Sequence, residues 1–218
     1  MELFDPETLA DLKFRAKKQL RTRMRGLRSA HPEAVLALAS ARILERVLGM
    51  PQFTAATGVG LFWPITERHE VDVRPLAAEV LAAGKRLYFP FQLPTATGFS
   101  TGFAQVAGPA ELADLGQRFF EPPRAAPSAA RGELELLIVP ALAAAADGQR
   151  LGYGSGFYDA TLPDFCPPAQ AVVVVYDFQL LGELPATPND VPCQFVVTNK
   201  RTLQVRTGMP VSGDRRAP

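Results

Sequence analysis

The chain is short of most residues that carry out chemistry unaided. Of its 218 residues only two are cysteines, Cys166 and Cys193, with neither a CxxC spacing nor a partner set for zinc, which points to free thiols rather than a disulfide framework or a thiolate metal site. It has only two histidines: His31 is read as lying at the start of a helix, and His69, beside Glu70, as a loop residue. Neither is assigned to a site. Long apolar runs are missing, since "AVVVVY" is the length of a strand and far short of the roughly 20 residues that cross a bilayer. The start, "MELFDPETLA", has neither the basic opening nor the apolar stretch of a signal peptide. A net charge of +1 gives no general attraction to nucleic acid or anionic membrane, so electrostatic function must come from local clustering. The expectation is a cytoplasmic, soluble protein.

What is present fills a core. Hydrophobic residues make up 47% of the chain, enough for a single domain over residues 1–205, while 206–218, "RTGMPVSGDRRAP", has no periodic apolar face and reads as a disordered tail. "DPETLADLKFRAKKQLRTRMRGLR" reads as a helix with Asp5 as N-cap and Pro6 at its first position. Leu9, Leu12, Ala16, Leu20, Met24 and Leu27 form its expected buried stripe, and Lys13, Lys17, Arg21 and Arg25, each four residues apart, form a basic ridge beside it. A second helix follows Pro32 and ends at Gly49. "TGVGLFWPI" and "RLYFPF" read as strands around the helix "RPLAAEVLAAG", and "LELLIVPAL", "AQAVVVVYDF" and "CQFVVTN" as buried strands. The alternation predicts an α/β fold with a mainly parallel central sheet flanked by helices. Residues 92–132 read as a loop-rich insertion, with short strands in "GFSTGFAQVAG" and a helix in "PAELADLGQRF".

The stretch with chemical content is "DGQRLGYGSGFYD", residues 147–159. Gly152, Gly154 and Gly156 let the backbone approach a ligand and adopt positive φ cheaply; Arg150 adds a fixed positive charge and Asp159 a carboxylate. A P-loop is excluded, because Arg86 follows the Gly84–Lys85 pair where Ser or Thr is required. A dinucleotide fingerprint needs GxGxxG directly after a strand, and the pattern here is GxGxG, set well away from "LLIVP". What remains is a glycine loop entering a short helix, "GFYDATL", whose free N–H groups would accept a phosphate.

At these residues the chain resembles the 5-formyltetrahydrofolate cyclo-ligases. The resemblance spans most of the sequence, in order: "AKKQLR", "GLFWP" with "HEVDVRPL", "GKRLYFP", "FFEP", "GQRLGYGSGFYD", and "LPATPNDVP" before "VVTN". It implies an ATP- and Mg²⁺-dependent conversion of 5-formyltetrahydrofolate to 5,10-methenyltetrahydrofolate, ADP and phosphate. The implied fold is similar to that of ribose-5-phosphate isomerase and the CoA transferases. It further implies ATP contacts at Lys17, Lys18, Arg21, Arg150, Gly152, Gly154, Gly156 and Tyr158. Substrate contacts are implied at Trp63, Glu70, Tyr153, Gly154, Ser155, Gly156 and Phe157, magnesium at Asp159 and Asp190, and catalytic roles for Arg150, Tyr158 and Asp159. The implied partners are 5-formyltetrahydrofolate and ATP, without nucleic acid or membrane, for a monomeric chain.

Three positions depart from the family pattern. Ala144 and Ala145 replace an aromatic–aspartate pair, which either loosens a pocket wall or repacks a turn. Asn189 precedes Asp190 where His is frequent, and Ser155 replaces Gly or a basic residue. Three rival readings stand beside the ligase: a nucleic-acid module using the basic first helix, which leaves the glycine loop and Asp190 unexplained; a paralogue that binds folate or nucleotide without cyclising; and a sugar-phosphate isomerase, which rests on fold analogy alone.

Overall fold

Asp5 caps the first helix as its sequence requires, its Oδ1 accepting from the Thr8 N–H at 2.9 Å. The computed structural model describes residues 5–96, 98–116 and 119–205, so the expected tail lies outside the described residues. The helices are α1 (Pro6–Ser29), α2 (Glu33–Leu48), α3 (Pro51–Ala55), α4 (Arg74–Ala82) and α5 (Phe157–Phe165). Gly49 closes α2, donating to the Glu45 carbonyl at 3.0 Å, and Gly84, at φ +69°, turns the chain out of α4.

The strands are β1 (Gly58–Gly60), β2 (Arg86–Thr95), β3 (Gly98–Val106), β4 (Ala113–Asp114), β5 (Phe120–Glu121) and β6 (Leu136–Pro140). They continue as β7 (Ala143–Ala145), β8 (Arg150–Leu151), β9 (Gln170–Val174), β10 (Leu180–Leu181), β11 (Phe195–Val197) and β12 (Thr202–Gln204). Seven of them form the central sheet in the order β12-β11-β9-β6-β1-β2-β3. The contacts from β11 through β2 are parallel, and the edge strands β12 and β3 run antiparallel. This is the expected mainly parallel α/β sheet. Alternate residues enter different cores: Leu136, Ile138, Val172 and Val174 pack in the layer containing α2 and α4 residues. Leu137, Val139, Val173 and Val196 pack with Leu162 and Phe165 of α5, as the two-residue strand repeat demands. A small sheet, β10-β7-β8, is built beside the large one.

Two expectations are corrected. "PAELADLGQRF" forms only a single 3₁₀ turn, Pro109–Glu111, before Leu112 becomes extended and β4 pairs with β5. Leu112 is already extended, and pairing of Ala113 with Glu121 and Asp114 with Phe120 takes the following residues into β-structure, so tertiary pairing overrides the local helix propensity. The strand expected in "GFSTGFAQVAG" is present as β3, in a regular hairpin with β2 registered from Leu87↔Val106 to Thr95↔Gly98, so the start of the insertion is more regular than its composition suggests. The buried stripe of α1 also differs. Leu9, Leu12 and Leu27 are 41%, 44% and 38% exposed, while Met24 and Arg28 are buried and Lys13, Lys17, Leu20 and Arg21 half-buried. The inward face therefore contains much of the basic ridge. Long aliphatic stems can be covered while the charged heads reach polar partners, and here the heads of Lys17, Arg21 and Arg28 reach partners on distant segments.

Candidate functional site

The parallel strands aim their C-terminal ends at one cleft of about 250 Å³. Phe62 and Trp63 follow β1, Pro90 lies on β2, and Pro140 ends β6; all four line it. Ligands of open α/β sheets bind outside such strand ends. The opposite wall comes from β8, the glycine loop, and α1.

Arg150 occupies β8, registered opposite Ala144. Its side chain is only 5% exposed and donates to Asp159 Oδ1 at 2.9 Å, an oxygen that also accepts from the Val191 N–H at 3.2 Å. Its Nε is buried with no hydrogen-bond partner among the described residues. The Arg150 guanidinium lines the cleft and is chemically suited to a phosphoryl oxygen, whereas its Nε is itself closed off from one. Asp159 stands in the first turn of α5, whose N-cap is Gly156 in the left-handed region (φ +70°) with no side-chain cap. The N-terminus of α5 thus remains open to an anion. Gly154 is also left-handed, at φ +107°, which is what calls for glycine there, since a Cβ would make only an ordinary contact, 3.6 Å, with Arg21 Cζ. Arg21 Nε donates to the Gly152 carbonyl at 2.9 Å.

Lys17, one turn earlier, donates to Asp190 at 2.7 Å, and the same carboxylate accepts from the Thr187 N–H at 2.7 Å. Burial by itself would raise the Asp190 pKa, but hydrogen bonds from Lys17 and Thr187 outweigh it and hold the carboxyl below the usual carboxylate range. A depressed native pKa contributes stability above the unfolded value that is lost as pH falls through the native one. Lys17→Met should therefore raise the Asp190 titration midpoint, because burial then acts without its counterweight. Carboxyl ¹³C NMR checks this, and an unchanged midpoint would remove Lys17 as the cause.

On the other side of the cleft, Glu70 is 9% exposed and accepts from the Ile65 N–H at 2.8 Å. The turn Thr66–Arg68 places it there, closing on His69 at φ 51°, the only non-glycine residue with positive φ among those described. Burial, then the nearby charge of Glu70, drive the Tyr153 and Tyr158 hydroxyls well above the ordinary tyrosine range, so both remain protonated donors. Arg28, fully buried under the loop, donates to the Tyr153 hydroxyl. Burial pushes the Cys193 thiol up to about 12 and Cys166 up to about 11, which leaves neither as a nucleophile.

The structure brings together Lys17, Arg21, Trp63, Glu70, Arg150, Gly152 through Asp159, and Asp190 around one cleft. Lys18 is exposed and not among the cleft residues. Ala144 and Ala145 are fully buried in β7, where Ala145 donates to the Gln149 carbonyl; they repack a turn behind the wall rather than loosening it. Arg28 and Arg68 escaped the sequence reading. Arg28 had a signal, since residues 17, 21, 24 and 28 share a helical face, whereas Arg68 depends on a turn that no pattern announces. Phe119, from "FFEP", enters the cleft and meets Phe157 edge-on at 6.2 Å.

Among the described residues no group of three or more His, Cys, Asp and Glu could hold an ion. The two carboxylates suit a hard cation that arrives with phosphate oxygens and keeps its waters. Asp159 is the better placed: its Oδ2 takes no hydrogen bond from the described residues, whereas Asp190 is engaged by Lys17.

Fold and cleft together define an α/β protein with a glycine loop in a cleft at its strand ends. Residues 13–199 match the 5-formyltetrahydrofolate cyclo-ligase family, and the chain belongs to that family. It is 35% identical over 192 residues to the 5-formyltetrahydrofolate cyclo-ligase of Mycolicibacterium smegmatis, covering 87% of this chain and 96% of that one. The Escherichia coli enzyme of the same name is 32% identical over 161 residues, 73% of this chain and 87% of that one. The NMR structure of Aquifex aeolicus 5,10-methenyltetrahydrofolate synthetase superposes with a TM-score of 0.76 at 28% identity, covering 90% of this chain and 96% of that one.

Proposed function

We propose that this cleft carries out the ATP-dependent cyclisation of 5-formyltetrahydrofolate to 5,10-methenyltetrahydrofolate, with ADP and phosphate released. The observation that carries the reading is the convergence of Lys17, Arg21 and the buried Arg150 on the glycine loop, in a cleft whose other wall is aromatic and carries Glu70. The formyl carbonyl is amide-like and a poor electrophile. Its oxygen attacks the γ-phosphorus as ADP departs; nitrogen 10 then attacks the formyl carbon and gives up its proton, and the carbon–oxygen bond breaks to release phosphate, which carries the former formyl oxygen, as the ring closes.

Lys17, Arg21 and Arg150 offset charge on the transferring phosphoryl oxygens. Asp159 holds Arg150 in place. Trp63 and Phe157 give the flat substrate its stacking surfaces, and Glu70 accepts hydrogen bonds from its amino-substituted edge. Tyr153 and Tyr158 remain neutral donors. Mg²⁺, bound by Asp159 together with the nucleotide's phosphate oxygens, would supply further neutralisation of their charge. No covalent enzyme intermediate is needed, in keeping with the inert thiols.

The finer reading is of a monomeric cytoplasmic enzyme that takes Mg²⁺ with its nucleotide and binds neither nucleic acid nor membrane. Its support is that Lys17, Arg21 and Arg28 of the basic helix turn inward and that no described helix is long and apolar enough to cross a membrane. The test is the near-ultraviolet absorbance of methenyltetrahydrofolate after mixing protein with 5-formyltetrahydrofolate, withholding ATP and Mg²⁺ in turn. A rise requiring both is expected. Nucleotide binding with no rise would favour a non-cyclising relative.

A further inference from the structure

The cations of the cleft are not equivalently engaged. Lys17 is paired with Asp190 and Arg150 with Asp159, and Arg21 is tied to the Gly152 carbonyl. Arg68 also lines the cleft and is half-buried, yet it forms no ion pair with any described carboxylate. Its guanidinium lies 4.6 Å from the centroid of the Tyr153 ring, a stacking geometry that holds the planar group while leaving its N–H edges free. The turn that carries it ends in the left-handed His69. Such backbone is strained for a non-glycine residue and concentrates where a position matters. Arg68 is thus a pre-oriented fork on the substrate wall, two residues from Glu70.

Resting on the cyclo-ligase reading, we infer that Arg68 is a specificity-determining residue that binds a carboxylate of the substrate's glutamyl tail. The argument is one of charge and division of labour. Lys17, Arg21 and Arg150 already surround the glycine loop, where the polyphosphate goes, and Arg68 meets that loop at the ring of Tyr153, a residue of the substrate wall. Arg68 belongs to the 61–70 segment, which supplies Phe62, Trp63 and Glu70 for the ring system. The remaining charged part of 5-formyltetrahydrofolate is its glutamate, and a guanidinium edge matches a carboxylate through two parallel hydrogen bonds. A site built to hydrogen-bond a group discriminates strongly against an analogue lacking it.

Calorimetric dissociation constants for 5-formyltetrahydrofolate and for the tail-less 5-formyltetrahydropteroate test this, on the full chain and on its Arg68→Gln and Arg68→Lys variants. The unmodified chain should prefer the glutamylated compound by roughly 10- to 100-fold. Arg68→Gln should erase that preference by weakening only the glutamylated compound, and Arg68→Lys should retain part of it, as a point charge without the fork. ATP affinity should be the same in all three proteins. Equal loss for both compounds in Arg68→Gln, no loss for either, or weakened ATP binding would each overturn the assignment. If the unmodified chain binds ATP but neither pterin compound, the folate reading itself falls, and the tail assignment with it.

Discussion

Asp159→Asn should lower turnover at least about 100-fold, the scale of removing a principal charge-stabilising group from a reaction centre, while the protein remains folded. Asp159 has two tasks, and the amide serves neither fully. Its carboxylate neutralises Arg150, whose side chain is 5% exposed; without it a buried cation is left uncompensated, an arrangement that costs about 3–5 kcal/mol where burial is complete. Because Asp159 is itself 27% exposed, the loss should fall below that range. Its second oxygen, free of protein donors, is the proposed cation ligand, and an amide is a far weaker one. The steady-state absorbance assay, run across Mg²⁺ concentrations beside a thermal melt, separates the tasks. Near-normal turnover with an unchanged magnesium requirement would take Asp159 out of the reaction.

Gly148→Ala should be the most damaging small change in the signature, destabilising by about 3–5 kcal/mol and abolishing turnover. Gly148 has φ +84°, and a Cβ on it would sit 2.2 Å from the Cys193 carbonyl oxygen and 3.0 Å from a Val205 methyl. An L side chain is strained in that backbone region, and the nearest obstacle is main chain that cannot rotate away. Cys193 also donates its N–H to the Gly148 carbonyl at 2.9 Å, so displacement would carry the neighbouring Asp190 and Val191 away from Lys17 and Asp159. Gly152→Ala is the contrast: nothing lies within 4 Å of its Cβ position, and its cost should appear in turnover rather than in the urea midpoint. Equal midpoints for the two variants would show that the Gly148 contact is not structurally limiting.

The sheet was legible in the sequence because buried parallel strands are continuous apolar runs between breakers, and "LLIVP" and "AVVVV" have that form. The glycine-loop wall of the cleft was legible for a different reason: the glycines, Arg150 and Asp159 lie within a few residues of one another. The α1 stripe was misread because hydrophobicity was taken as the only reason for burial. Arg28 is buried for its contact with Tyr153, a partner 125 residues away. Residues 109–116 carry helix-forming side chains, but the β-pairing that stops the helix acts through tertiary structure. Arg68 is placed by an unusual backbone conformation at His69, which composition does not announce.

The Lys17–Asp190 pair makes Asp190 a tethered rival to any anion approaching Lys17. Its effective local concentration is that of an intramolecular group, in the millimolar range or above, so a lone phosphate ion gains little by displacing it. A triphosphate that engages Arg21, Arg150 and the open end of α5 at the same time can meet that competition. At Lys17 the ion pair thereby works against single inorganic anions and favours charge that arrives in connected form, as on a polyphosphate.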